Sequence, residues 1–141
     1  VDEKLIKFEI DPLASASSGE LTSLVYSCDE KKLTGLLLGF YGSRWNEAGV
    51  VHQAYAFKNL PKSNALEILS KLDKFIDDES KYLSADSDNN NMFFQYEDMT
   101  FLIFRDSGVK IRVFWNGFDS EWESTSFGRT KRRFERKIKE R

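Results

Sequence analysis

Asn116-Gly117 constrains this chain more than any other feature. A two-residue type I′ turn needs positive φ at both central positions, and Asn followed by Gly is the pair that tolerates it best. Folding the chain there fixes a register for Lys110 to Glu123. Trp115 then faces Phe118, Val113 faces Ser120 and Ile111 faces Trp122. On the other side Arg112 meets Glu121 and Lys110 meets Glu123. One face is apolar and aromatic while the other pairs opposite charges, as cross-strand neighbours prefer. The hairpin leads directly into a basic stretch ending at Arg141.

The rest of the chain reads as two similar halves. In the first, residues 5–10 alternate, with Ile6, Phe8 and Ile10 on one side, until Asp11-Pro12 and the run Ala14 to Gly19 break the pattern into a loop. Leu21 to Cys28 is a second strand, with Leu24, Tyr26 and Cys28 sharing a face. Leu33 to Tyr41 is a third, with Leu36, Leu38 and Phe40 inward and Gly35 and Gly39 opposite, where glycine permits close approach of other groups. Gly42 to Gly49 is expected to be a loop carrying Arg44, Trp45 and Asn46, and Val50 to Phe57 a fourth strand. The period then becomes helical from Ala65 through Ile76 and on to about Leu83. Asn64 with Glu67 suits a capping box, with Ser63 as the other cap. The second half repeats the order. Strands are expected at Met92–Tyr96, Met99–Arg105, Val109–Trp115 and Phe118–Glu123, then a helix capped by Ser124, Thr125 or Ser126. The reading is one α+β domain of 141 residues, built as ββββα-ββββα from two antiparallel meanders, 1–84 and 85–141.

Charge is unevenly placed. Residues 125–141 carry eight Lys/Arg and two Glu, a balance of +6, so with −2 overall the remainder holds −8. Such asymmetry points to an anionic partner. The alternative is that the tail docks on the acidic body of its own chain or of a second copy. Phe127, Phe134 and Ile138 form one stripe of the closing helix, and Arg129, Arg132, Arg133, Arg136 and Lys139 lie opposite as a footprint for phosphate. Three attractive i,i+4 pairs (Lys131–Glu135, Glu135–Lys139, Arg136–Glu140) oppose three repulsive ones (Arg129–Arg133, Arg132–Arg136, Arg133–Lys137). At roughly 0.2–0.5 kcal/mol each they nearly cancel, so the helix needs no external anion to form.

Aromatics are the second candidate feature. Tyr55, Phe57, Phe93, Phe94, Tyr96, Phe101, Phe104, Phe114, Trp115, Phe118 and Trp122 are spread over the strands. Sheets that hold single strands stack bases on such residues, and Phe114 beside Arg112 and Lys110 is the best placed; core packing explains most of the others. Arg44 and Trp45 between glycines resemble a binding loop, although Trp45 can equally tuck onto the sheet.

Other chemistries find little support. Asp86, Asp88, Asn90, Met92, Phe94 and Glu97 match the ligand spacing of a calcium loop, but Asn91 replaces its glycine and a strand rather than a helix follows, so no metal is expected. His52 is the only histidine and no nucleophile–base pairing surrounds it. No glycine-rich phosphate loop is present, so neither catalysis nor a cofactor is expected. Cys28 stands alone, no apolar run approaches a membrane span, and the N-terminus alternates charge with apolar residues unlike a signal peptide, which together make the cytoplasm the expected setting.

The doubled order of four strands then a helix resembles the PUR and whirly type of single-stranded nucleic-acid-binding fold. Leu60 to Asp78 (LPKSNALEILSKLDKFIDD) is similar to the PUR helix, which follows a Leu-Pro and ends near an Ile-Asp-Asp. The aromatic run and basic Gly-Arg-Phe segment of that family are absent from the first half, and the lysine-rich whirly signature is absent too, so no site residues are carried over. Residues 18–83 are also similar to the small KTSC domain, through Tyr26, the Tyr55 to Pro61 run and Ser80-Lys81-Tyr82. The first resemblance covers the whole chain and implies a non-enzymatic protein that holds single-stranded RNA or DNA. The alternative is a protein–protein module, of inhibitor or immunity type, acting through its acidic body.

Overall fold

Two antiparallel meanders, each closed by a helix, account for the chain. The computed structural model describes residues 5–45, 47–84 and 90–140, with Trp45 described by its backbone alone. The first sheet has the order β1 (Glu9–Ser15), β2 (Leu21–Cys28), β3 (Leu33–Trp45) and β4 (Val51–Pro61). Helix α1 (Lys62–Asp78) follows, then one further turn, α2 (Ser80–Ser84). The second sheet runs β5 (Asn91–Tyr96), β6 (Met99–Arg105), β7 (Val109–Trp115) and β8 (Phe118–Glu123), and α3 (Ser124–Lys139) closes the chain. The α+β class and the doubled element order agree with the sequence pattern.

The last hairpin has the expected register at every pair from Lys110↔Glu123 to Trp115↔Phe118. Asn116 and Gly117 adopt φ of 50° and 83°, the left-handed values a I′ turn requires. The ion pairs, however, slip diagonally. Arg112 Nε meets Asp119 Oδ1 at 2.6 Å and Lys110 Nζ lies 3.8 Å from Glu121 Oε1, because Glu123 is engaged elsewhere. The Glu123 carboxylate accepts the Ser17 backbone N–H and hydroxyl, which ties the start of α3 to the β1–β2 turn.

Several local expectations are corrected. Residues 5–8 are not strand, whereas β1 continues through Asp11-Pro12 with a register shift between Pro12 and Ala14. Proline is tolerated there because β1 is an edge strand, and Leu13 is drawn into the core. On β2 the buried alternation belongs to Leu21, Ser23, Val25 and Ser27, so Leu24 and Tyr26 line the outward face. The expected loop from Gly42 is shorter, because β3 and β4 stay paired out to Trp45↔Val51. Neither long helix uses its expected cap: the N-cap positions are Pro61 and Glu123, without side-chain cap bonds. Asn64 instead donates its amide to the Tyr96 hydroxyl at 2.8 Å and to Glu97, a tertiary partner outcompeting a local one.

One hydrophobic cluster spans both halves. Phe40 on β3 is fully buried, with its ring centroid 4.9 Å from Trp115 and 5.8 Å from Phe118 of the second sheet. Each helix also reaches across: Phe75 of α1 packs edge-on against Phe94, and Thr130 of α3 shares a buried 2.6 Å hydrogen bond with Ser23. A polar tie reinforces the junction. Lys58 points inward from β4 and meets Asp98 at 2.8 Å, and Asp98 also accepts the Trp115 indole N–H at 2.9 Å.

Two substitutions test this packing. Phe40→Ala should cost about 3–5 kcal/mol in urea unfolding through the cavity it leaves between the sheets. Gly35→Ala should cost at least 1 kcal/mol, roughly the overpacking penalty, since a Cβ there would run into the Tyr26 ring and the Leu60 carbonyl.

Candidate nucleic-acid interface

Helix α3 buries Ser126, Phe127, Thr130 and Phe134, and this stripe decides what its other side presents. At 100° per residue the buried positions fill one face, and Arg129, Arg132, Arg133, Arg136 and Lys139 stand exposed on the opposite one. The Phe127 ring sits edge-on to Trp122 at 5.1 Å, locking the helix rotation.

The fold uses some of the helix's cations itself. Lys131 pairs with Glu135 at 2.6 Å and lies 3.9 Å from Asp73 of α1. Lys137 lies 3.9 Å from Asp11 of β1. The guanidinium of Arg133 donates to the Leu13 carbonyl, so this arginine, although exposed, is anchored to the body. The Ser17 hydrogen bonds chiefly, with a smaller contribution from nearby Lys110 and Arg129, hold the Glu123 carboxyl below its ordinary range. Arg132, Arg136 and Lys139 make no hydrogen bond or ion pair with other described residues. With Arg129 they run at i, i+3, i+7 and i+10, a row of four cations along about 15 Å of helix.

Arg44 belongs to a different place. Its guanidinium donates to Asn116 Oδ1 at 3.0 Å and lies 5.7 Å from the Phe118 ring centroid, bracketing the turn of the last hairpin. The six residues of β8 separate that turn from the start of α3, a span of roughly 20 Å. The helix then runs past Ser23 and Leu13 toward Asp11, away from the Arg44 end of β3. Arg44 and the basic row therefore do not converge, and the side chain of Trp45 lies outside the described residues.

The structure sorts the aromatics. Tyr96, Phe101, Phe118 and Trp122 are core, and Phe94, Phe104, Phe114 and Trp115 are half-buried. Phe93 is 74% exposed on the outer face of the second sheet, beside Leu102 and Arg112. The cations next to Phe114 are spent: Arg112 on Asp119, and Lys110 between Asp106 and Glu121. Tyr55 and Phe57 are also exposed, but on the outer face of the first sheet, whereas α3 covers its inner face through Ser23. Basic and aromatic surfaces thus lie on opposite sides of the first sheet.

Of the calcium-spaced residues, Asp86 and Asp88 lie outside the described ones, and Glu97 faces Asn64 and Lys58. Among the described residues no cluster of His, Cys, Asp and Glu forms a metal cage, and no helix is long and apolar enough to cross a membrane. Comparison of the chain with protein-family models, with curated proteins and with solved structures finds no match.

Sequence reasoning missed the Lys58–Asp98–Trp115 tie. Lys58 sits at an inward position of β4 and gave only the signal of a charge breaking an apolar alternation. Its hydrogen bond with Asp98 raises the Lys58 pKa, and Lys58 followed by the Trp115 indole holds the Asp98 carboxyl below its ordinary range. A carboxylate with a depressed folded pKa contributes stability that is complete above the ordinary range near pH 4 and is lost as pH falls through the lower folded value. Asp98→Asn should therefore be less stable than the wild type at neutral pH, and the gap should close as urea titrations are taken from about pH 5 into acid below that range.

Proposed function

We propose that this protein is a non-enzymatic binding protein that holds single-stranded RNA or DNA along the outward face of α3. The row Arg129, Arg132, Arg136 and Lys139 carries the reading. The helix is amphipathic enough to fold on its core side alone, and Lys131, Lys137 and Arg133 already serve the body, yet this row is left facing solvent. Phosphates condense counterions that such a row displaces, and the gain in entropy drives binding without sequence preference. Exposed Phe93 is the described aromatic of the second sheet best able to stack a base. Arg44 is a structural bracket in this reading and Arg133 an anchor that adds charge without being free to move.

Fluorescence anisotropy with labelled single-stranded oligonucleotides at two salt concentrations tests it. Four phosphate contacts predict that log K falls with log salt at a slope of about −3, at roughly 0.7 per contact for single strands. Arg132→Gln with Arg136→Gln should weaken binding and make that slope shallower by about 1.4, while Arg44→Gln should leave the slope unchanged. Absence of oligonucleotide binding, together with capture of one tight protein partner, would replace this reading with the protein–protein module.

A further inference from the structure

The outer face of the first sheet carries no charged side chain at any strand position from Ile10 across to Asn59, and no helix or sheet among the described residues covers it. Two features stand side by side on it. Tyr41, Tyr55 and Phe57 form an aromatic ridge, with ring centroids 5.3 Å and 5.7 Å apart in sequence along it. Next to the ridge, toward the β2–β3 turn, lies an open, mostly apolar groove of about 300 Å³ lined by Ile6, Phe8, Tyr26, Leu33 and Leu37, with the turn residue Lys31 also on its wall. Two of the glycines of β3 shape both. Gly35 lets the Tyr26 ring lie flat across the strand as groove floor, and Gly39 does the same for Phe57.

The exposed side chains of ridge and groove, with Ile10, stand 44–65% open to solvent. Together they present on the order of 700 Å² of apolar surface, above what a monomer usually leaves open and close to the roughly 800 Å² each partner gives a standard interface. We propose that this face is the interface of a homodimer, in which the Tyr41–Tyr55–Phe57 ridge of each copy seats in the Phe8–Leu33–Leu37 groove of the other. The geometry is self-complementary. Phe57 lies opposite Gly39, two residues along β3 from Leu37 opposite Asn59, and Tyr55 lies opposite Tyr41. A two-fold axis lying between the two copies and diagonal to the strands exchanges the β3–β4 ridge for the groove, whose Phe8 and Tyr26 lie on the β1–β2 side. The sheets then pack face to face at about 10 Å, as in a β-sandwich. A face meeting its own copy must not repel itself, and strand positions without charge meet that requirement, with Lys31 confined to the turn at the groove's end. This leaves α3 on the far side of each sheet, so the dimer carries two outward basic rows and stands or falls independently of the nucleic-acid reading.

Sedimentation velocity from low to high micromolar concentration should show a monomer–dimer equilibrium. Tyr55→Lys and Leu33→Glu should each shift it to monomer with far-UV circular dichroism unchanged, since both side chains are already half exposed. Mixing the two variants should restore a heterodimer, because ridge lysine then meets groove glutamate at one of the two symmetric contacts. A wild type monomeric at every concentration overturns the proposal, and loss of oligonucleotide binding in Tyr55→Lys would then assign the face to bases instead. A dimer that persists in both single variants overturns it as well.

Discussion

Phe40 joining Trp115 and Phe118 is the contact through which two meanders share one core. A four-stranded antiparallel sheet has one apolar face to bury, and a single helix of four or five turns covers only part of it. Each unit therefore closes on the other. Phe40 fills the space between the sheets, α1 extends to Phe94, and α3 extends to Ser23 and Leu13. The Lys58–Asp98–Trp115 tie lies at the same junction and fixes the β5–β6 turn against β4. With Lys58 largely covered and Asp98 open to solvent, the pair adds modest stability, so the tie acts mainly to select one arrangement of the units.

This mutual closure determines which surfaces remain. Once α3 is committed by Phe127, Thr130 and Phe134 to the junction, its basic side can only face solvent. The neighbouring lysines are drawn to acids on the body, Asp73 and Asp11, so the chain's charge asymmetry is partly resolved internally. What is left over is the narrower row of Arg129, Arg132, Arg136 and Lys139. On the other side, no helix remains for the outer face of the first sheet, and its Tyr41, Tyr55 and Phe57 stay uncovered. A row of cations and an apolar sheet face on opposite sides suit two different kinds of partner. An anionic partner would gain from counterion release and weaken with salt, whereas an apolar one would gain from burial and would not.

Much of this was legible in the sequence because it depends on local rules. Asn116-Gly117 specifies its turn through backbone φ alone, and alternation then fixes the register and the buried set of β7 and β8. The same holds for Leu36, Leu38 and Phe40 on β3 and for the amphipathic stripe of α3, where spacing by itself separates core from surface. The basic row was equally legible, since residues opposite a buried stripe must be exposed.

Tertiary structure decided what spacing could not. Leu24 and Tyr26 alternate as well as Leu21 and Val25 do, and only the position of the second sheet and α3 selects which pair is core. The expected cap Asn64 yielded to a partner 32 residues away, and Glu123 at the observed N-cap position of α3 holds Ser17, 106 residues away, because such bonds hold the units together while a local cap does not. The position of Arg44 against the last hairpin, where it donates to Asn116, was likewise invisible in the sequence. The sequence by itself determined the elements, their pairing and the basic face of α3, since each follows from backbone conformation and periodicity. Which apolar face is buried, and which cations are spent inside the molecule, follows from long-range packing between the halves, on which local pattern carries no information.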